Sequence, residues 1–313
     1  MTADAEFTAA IEPLRPALRL HCYRMLGSSH DSDDMVQETL LRAWRKRDSL
    51  ADPTRVKPWL YRIATNACLD ELARRSRRGM APDVAPVATG GSWPPAPPIE
   101  DAAWIEPMPG AWLAGADDPA SRYALRESVA LAFVAALQVL QPAQRATLLL
   151  RDVVGLSAEE AAEALDQSVS AANSALYRAR AAIEDKVAAR GPAAFAGGLG
   201  EEAVLARYVR ALEDRDIDAM IALVHDDMQT TMPPSPTWVA GYADNVAFYR
   251  QMFARWDASV IRAVPIAVNG GAGFEFHRDG VLRAIEAIEV SGDKVLRMHH
   301  FMQPTVIALF VRG

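Results

Sequence analysis

The chain has 313 residues, half of them hydrophobic, which is room for two or three domains with sizeable cores. A formal net charge of −7 argues against a protein that coats nucleic acid indiscriminately. No apolar run reaches the ~18 residues of a membrane span, Met1 to Ala10 lacks the apolar stretch of a signal peptide, and the two cysteines, Cys22 and Cys68, show no CxxC spacing. Buried reduced thiols and a cytoplasmic setting are the expectation.

Residues from about 7 to 78 read as helical. Ile11, Leu14, Leu18, Cys22 and Met25 mark one face at spacings of three and four, and Gly27-Ser28-Ser29 breaks it. The acids Asp31 to Asp34 then open a second helix, where negative charge suits the positive end of the helix dipole. Gln37, Glu38, Leu40, Leu41 and Trp44 follow at helical spacing. A Pro-punctuated turn, Asp52-Pro53 to Lys57-Pro58, leads into Trp59-Leu60-Tyr61-Arg62-Ile63-Ala64, and this helix runs through Asn66 and Asp70 to Arg74, Arg75, Arg77 and Arg78. From Arg42 to Arg78 there are 11 Lys or Arg against 4 Asp or Glu, so the basic charge is local, as in a nucleic-acid footprint.

Gly79 to Ser121 holds nine prolines, six acids (Asp83, Glu100, Asp101, Glu106, Asp117, Asp118) and no Lys or Arg, the composition of a partly extended linker. Trp93, Trp104 and Trp112 within it suggest docking, either on a partner or on flanking domains. Arg122 to about Arg190 is helical again. Ser157 with Glu160 makes a capping box before a short helix, Asp166-Gln167-Ser168 makes a turn, and Val169 to Ile183 forms the next helix. Short helix, tight turn and second helix read as a helix-turn-helix. Ser170, Asn173 and Ser174 suit base edges, and the later arginines suit phosphates.

After a second linker (Gly191-Pro192, Gly197 to Gly200), residues 201–313 change character. Helices over Glu202–Asp214 and Ile217–Val224 precede strand-like runs at Met228–Met232, Ile261–Asn269, Gly273–Arg278, Val281–Val290 and Lys294–Phe301, with Ser291-Gly292-Asp293 as a hairpin turn. This is an α+β domain. Asp216, Asp244, Glu286, His277 and His299 are its available acid–base groups. His299 and His300 are adjacent on a strand and point to opposite faces, so they do not make a simple two-His metal site. Met228, Met232, Trp238, Tyr249, Phe253 and Trp256 line either a pocket or an ordinary core.

The motifs together resemble bacterial sigma factors of the extracytoplasmic-function (ECF) group of the sigma-70 family. Asp33-Asp34-x-x-Gln37-Glu38-x-x-Leu41-x-Ala43-Trp44 is similar to the region 2 helix that docks on the β′ clamp of core RNA polymerase. Trp59-Leu60-Tyr61-Arg62-Ile63-Ala64-x-Asn66-x-x-x-Asp70 is similar to the segment that melts and holds the −10 element, and Leu140-x-Pro142-x-x-Arg145 with Gly155-Leu156-Ser157-x-x-Glu160-x-Ala162 resembles region 4, which reads the −35 element. The tail resembles the SnoaL-like branch of the NTF2-like cone fold, through Tyr208-Val209-x-Ala211-Leu212-x-x-x-Asp216, Met232-Pro233-Pro234-x-Pro236 before Trp238, and His300-Phe301-x-x-Pro304.

The resemblance implies a multidomain chain. Residues 1–78 form all-α region 2, 79–121 an acidic linker, 122–190 the helix-turn-helix region 4, and 201–313 an α+β SnoaL-like cone. It implies core-polymerase contacts by Asp33, Asp34, Gln37, Glu38, Leu41 and Trp44, and −10 contacts by Lys57, Trp59, Tyr61, Arg62, Asn66, Arg74, Arg75 and Arg77. The −35 contacts fall to Ser168, Ser170, Asn173, Ser174, Tyr177, Arg178 and Arg180. Trp59 has a competing role as core, Asp70 as a local ion pair or cap, and Arg77 and Arg78 as a solvated helix end. A pocket for a flipped −10 base is expected in the turn from Asp48 to Lys57.

The linker, acidic throughout, suits a basic polymerase cleft by mimicking nucleic acid. The expected partners are core RNA polymerase, at its β′ clamp and β flap, promoter DNA, and an intramolecular contact of the tail with the sigma domains. No cofactor, metal, membrane or catalytic residue is expected, and the free chain is expected to be a monomer with its activity tuned by its tail. The rival reading is a helix-turn-helix regulator fused to a SnoaL-like enzyme or ligand sensor, which has no use for Asp33–Trp44. A stand-alone cyclase or isomerase leaves the first 190 residues unexplained.

Overall fold

A computed structural model describes residues 3–75, 77–90, 94–99, 103–114, 119–190, 201–256 and 258–311. Trp93, Glu100, Asp101, Asp117, Asp118 and the second linker lie outside the described residues. The chain divides into two compact units, residues 1–78 with 134–189, and residues 79–133 with 190–313.

The first unit contains α1 (Ala3–Ile11), α2 (Arg15–Leu26), α3 (Ser29–Arg45) and α4 (Val56–Leu72). Gly27 ends α2 in the left-handed conformation at φ 66°, and Ser28 at once caps α3 by accepting from the Asp31 amide at 3.1 Å. A Cβ at Gly27 would approach the Gln138 side chain to 3.2 Å, so the turn is both left-handed and closely packed. Leu18, Cys22, Met25, Leu60, Ala64 and Cys68 make the core between α2 and α4, and both cysteines are free and buried as expected.

Residues 134–139 of α7 (Leu131–Val139), then α8 (Pro142–Leu148), α9 (Ala158–Ala164) and α10 (Val169–Arg190), complete this unit. Arg145 of α8 is buried, and burial lowers its guanidinium to a pKa of about 10. It donates to the Met25 carbonyl at the end of α2, to Gln138 Oε1 at 2.6 Å, and to the Gln138 and Leu140 carbonyls at 3.2 and 3.3 Å. The capping box forms as expected. Ser157 Oγ accepts from the Glu160 amide at 3.1 Å, and Glu160 accepts from the Ser157 amide at 2.9 Å.

The second unit is built on a six-stranded sheet: β1 (Val224–Thr231), β2 (Trp238–Ala240), β3 (Ile261–Val268), β4 (Gly271–Arg278), β5 (Val281–Ser291) and β6 (Lys294–Phe301). The order is β2-β1-β6-β5-β4-β3, antiparallel except for the parallel pair β1–β6. Helices α11 (Glu201–Glu213), α12 (Ile217–Ala222) and α13 (Tyr242–Arg255) bury Leu205, Tyr208, Leu212, Met220, Phe248 and Met252 in one core with the sheet. α14 (Pro304–Val311) packs on β5. Within residues 201–311, β2, α13 and α14 went unread in the sequence. Val224, read as the end of a helix, instead begins β1, where it pairs with Val295.

The connecting segment belongs to this second unit and packs on its sheet. It carries α5 (Ala81–Val84) and α6 (Pro119–Val129). Ala88 bridges β2 at Val239 and Pro109 bridges β3 at Val268, and these are the two edge strands of the sheet. Edge strands present unpaired amides and carbonyls, and the segment supplies partners to both. Asn269 anchors it further: its amide and carboxamide oxygen exchange hydrogen bonds with Met108 at 2.9 and 2.8 Å, and its Nδ2 donates to the Val129 carbonyl at 2.7 Å. Trp238 Nε1 donates to the Ala85 carbonyl at 2.9 Å, so this tryptophan holds the segment. A Cβ at Gly110 would fall 2.4 Å from that of Ala267, so the chain passes too close for a side chain.

His21, buried in the first unit, shares a 2.9 Å hydrogen bond with Thr65, and burial followed by the charge of Arg24 pushes its pKa down to about 3. An unfolded histidine titrates near 6.5, so between these values the native state binds fewer protons than the unfolded one. Stability contributed by neutral His21 is therefore present above pH ~6.5 and is lost as pH falls through that window, at up to about 1.4 kcal/mol per pH unit. Urea unfolding between pH 7 and 4 checks this, with His21→Gln expected to flatten the slope.

Candidate nucleic-acid interface

Three exposed faces of the first unit carry the residues singled out in the sequence. On α3, Asp34, Gln37, Leu41 and Trp44 recur every three or four residues on the solvent side. Leu41 is 53% exposed and Trp44 39%, large apolar surface for one turn-and-a-half of helix. Glu38 sits beside them and accepts from Arg42 at 2.7 Å, and Asp33 pairs with Arg19 at 2.9 Å. Partial burial pushes Asp33 above the ordinary carboxylate range, against the pull of Arg19. Arg47 lies over the Trp44 ring at 4.8 Å, and Phe7 meets Trp44 edge-on at 6.1 Å. The stripe offers an apolar knob at Leu41 and Trp44 with acids on its N-terminal side and Arg47 over its C-terminal end.

The second face is the start of α4 and the turn before it. A cavity of 260 Å³ lies there, lined among others by Ser49, Leu50, Asp52, Arg55, Trp59 and Arg62. Trp59 is half-buried and donates to Ser49 Oγ at 3.3 Å. Glu163 of α9 forms another part of the wall. Arg55 pairs with Glu163 at 3.2 Å, Arg62 pairs with Glu163 at 3.5 Å and Asp166 at 2.9 Å, and Lys57 donates to the Val154 carbonyl at 3.1 Å. The cations expected to meet DNA thus meet the first helix of the helix-turn-helix and its turns. Arg55 was not among the residues singled out; its place in the Pro-punctuated turn, next to Lys57, was the available signal.

The remaining −10 candidates separate by burial. Tyr61 is 4% exposed, edge-on to His21, with its hydroxyl pushed up to about 12 by desolvation, so its ring is core and not a stacking platform. The helical face of Leu60 and Ala64 turns it inward, which the motif alone did not reveal. Arg75 pairs with the buried Asp31 at 2.6 Å and with Glu71, and Arg78 takes the other Asp31 oxygen at 2.6 Å. Asp31 therefore serves as an internal counter-ion. Asp70 pairs with Arg42 at 2.8 Å, one of the two local roles expected for it. Arg74 and Arg77 are exposed and Asn66 is half-buried.

The third face is α10. Ser168 caps it, accepting from the Ala171 amide at 3.2 Å. Val169, Ser170, Asn173, Ser174, Tyr177 and Arg178 line one shallow concave patch. Tyr177 is 76% exposed. Ala172, Ala175, Leu176 and Ala179 form the buried side, so the alternation that sets this patch outward is ordinary helical amphipathicity. Arg180 stands apart, paired through both nitrogens with Asp152 at 2.6 and 2.9 Å. Among the described residues no cluster of three or more His, Cys, Asp or Glu is arranged to hold a metal ion, and no helix is long and apolar enough to cross a membrane.

In the second unit the acid–base groups scatter. Asp216 caps α12 through the Ala219 amide at 2.9 Å, Asp244 accepts from the Gly90 amide at 2.8 Å, His277 pairs with Glu275 at 2.9 Å, and His299 bonds Thr231 at 2.8 Å. Glu286 faces a cavity, beside His300. Of the six residues weighed as pocket or core, Met232 and Trp256 line that cavity, and Met228, Tyr249 and Phe253 are core.

Comparison with known proteins matches three stretches of the chain. Residues 10–78 match the Sigma-70 region 2 family, 130–183 Sigma-70 region 4, and 205–303 the SnoaL-like domain. The chain is 37% identical to the ECF RNA polymerase sigma factor SigG of Mycobacterium tuberculosis, over 97% of this chain and 83% of that protein. It is 28% identical to SigJ of the same organism, over 84% and 78%. The crystal structure of M. tuberculosis SigJ superposes with a TM-score of 0.63 at 23% identity, covering 96% of this chain and 98% of the other, which shows a shared fold.

The ion pairs of Arg75 mark it as structural. Arg75→Ala is expected to lower the unfolding free energy by about 1–2 kcal/mol, since it strips a partner from a buried carboxylate. Arg74→Ala, at an exposed site, is expected to stay within about 0.5 kcal/mol. Urea titration of the two variants checks the difference.

Proposed function

From the premise that this chain belongs to the ECF RNA polymerase sigma factors, we propose how its residues divide the work. The α3 stripe of Asp34, Gln37, Leu41 and Trp44, with Asp33 and Glu38 beside it, docks on the clamp of core RNA polymerase. Lys57, Trp59, Arg62, Asn66, Arg74 and Arg77, joined by Arg55, hold the single-stranded −10 element, and the cavity by Trp59 receives a flipped base. Stacking and phosphate contacts of this kind need one aromatic wall and several cations, and that group of side chains has both. The α10 patch of Ser170, Asn173, Ser174, Tyr177 and Arg178 reads the −35 element, with Ser168 as its cap and Arg180 held by Asp152. The domains run 1–78, 79–121, 122–190 and 201–313, and the protein works in the cytoplasm by binding and not by catalysis. Its SnoaL-like domain modulates initiation.

The observation that carries this reading is the exposed Leu41–Trp44 surface, which a duplex-binding regulator has no use for. Run-off transcription with core polymerase tests it. Leu41→Ser with Trp44→Ala is expected to abolish transcripts and lower polymerase affinity at least tenfold, with fold retained by circular dichroism. Normal transcription from that double variant sinks the assignment.

Arg62 and Arg55 face Glu163 and Asp166 in the isolated chain, so DNA competes with carboxylates for the same guanidinium groups. Exposed pairs of this type are worth about 0–1 kcal/mol each. Glu163→Gln with Asp166→Asn, the second chosen because Asp166 sits at φ 50° where asparagine is tolerated, is therefore expected to leave stability nearly unchanged. It should tighten binding of a −10 non-template oligonucleotide to the free chain by about fivefold at low salt, less at high salt. Fluorescence anisotropy at two salt concentrations gives the answer.

A further inference from the structure

The second unit encloses a cavity of 250 Å³ walled by Met232, Phe248, Met252, Trp256, Phe276 and Met302. Pro95 of the connecting segment contributes to its lining. Such walls are apolar, and three flexible thioethers let them adapt to a planar guest. Two polar features interrupt them. Glu286, 3% exposed, sits directly across the β5–β6 pairing from His300. His300 Nδ1 pairs with Glu286 Oε2 at 2.6 Å, an ion pair when the ring is protonated; beyond that contact, Glu286 Oε2 and His300 Nε2 are buried with no hydrogen-bond partner within the protein. Buried polar atoms are rarely left so, and here an acceptor and a ring nitrogen share one cavity.

The second feature is cationic. Arg278 and Arg283 also line the cavity, and among the described residues neither has a carboxylate partner. Arg278 lies over the Trp256 ring at 5.2 Å, which holds a guanidinium against the aromatic wall. Arg283 is exposed and three residues before Glu286 on β5, a separation of roughly 10 Å along a strand. Hydroxyl-seeking groups thus stand at one end, two unpaired cations at the other, and aromatic and thioether surface between.

We propose that this cavity is a binding site for a small aromatic carboxylate that carries a hydroxyl group at the far end. The hydroxyl meets Glu286 Oε2 and His300 Nε2, the ring lies against Trp256, Phe276 and the methionines, and the carboxylate meets Arg278 and Arg283. A guest seated against Pro95 also touches the connecting segment, so binding is felt by the part of the chain that joins the sigma regions.

Isothermal titration of the full chain with 4-hydroxycinnamate tests the site. A Kd of about 100 µM or tighter is expected, within reach of a ligand this size. The primary amide of the same acid, equal in shape but uncharged, is expected to bind at least tenfold more weakly, as is cinnamate without the hydroxyl. Arg283→Gln, on the surface, leaves the fold intact and is expected to cost about tenfold for the acid and nothing for the amide. Glu286→Gln is expected to erase the preference for the hydroxyl, with thermal unfolding as its folding control. Absence of heat at about 2 mM ligand, where such a Kd would saturate the site, overturns the proposal. Equal affinity for acid and amide, or an Arg283→Gln variant that binds the acid unchanged, overturns it as well.

Discussion

The helical unit turns on one buried cation. Arg145 sits in the core with its guanidinium spread over carbonyls from three places in the chain: the end of α2, the end of α7 and the turn before α8. A helix C-terminus leaves carbonyls without amide partners, and an arginine fork satisfies several at once. Removing it would strand those carbonyls together in a low-dielectric interior, which is why a desolvated charge is tolerated there. The exposed faces of α9 and α10 rest on this clamp, because it ties α8, which leads into them, to the end of α2. The ion pairs of Arg55 and Arg62 are weak by comparison and sit on a geometry already set.

Much of that unit was legible in the sequence for local reasons. Gly27 as a stop, the acids from Asp31 as a start, and Ser157 with Glu160 as a capping box are signals whose chemistry acts within about four residues, so pattern alone finds them. The amphipathic stripe on α10 is equally local. Tyr61 shows the limit. Its motif suggests an exposed aromatic, but which side of α4 faces His21 is decided by the packing of α2, a non-local fact. Arg75 shows it again, since its partner Asp31 lies 44 residues away.

In the α+β unit the strands after residue 260 were readable from alternation and from a hairpin turn at Gly292, φ 63°. Helix α13 was not, because Gly241 precedes it without a side-chain cap and its apolar residues mix with Asn245, Arg250 and Gln251. β2 has only three residues, and α14 follows the last strand after two residues. The Glu286–His300 pairing depends on the register between β5 and β6. Sequence gave the neighbouring His299 as the candidate, and one residue of register sends that side chain to the other face.

The connecting segment has a consequence for length. Residues 79–121 number 43, and fully extended they would reach roughly 140 Å at ~3.3 Å per residue. Among the described residues the segment is fastened to one edge strand at Ala88 and, at Met108 and Pro109, to the other edge and the turn after it. Each fastening shortens the chain left over to join regions 2 and 4, so the edges of the SnoaL-like sheet and not the residue count alone set how far that segment reaches.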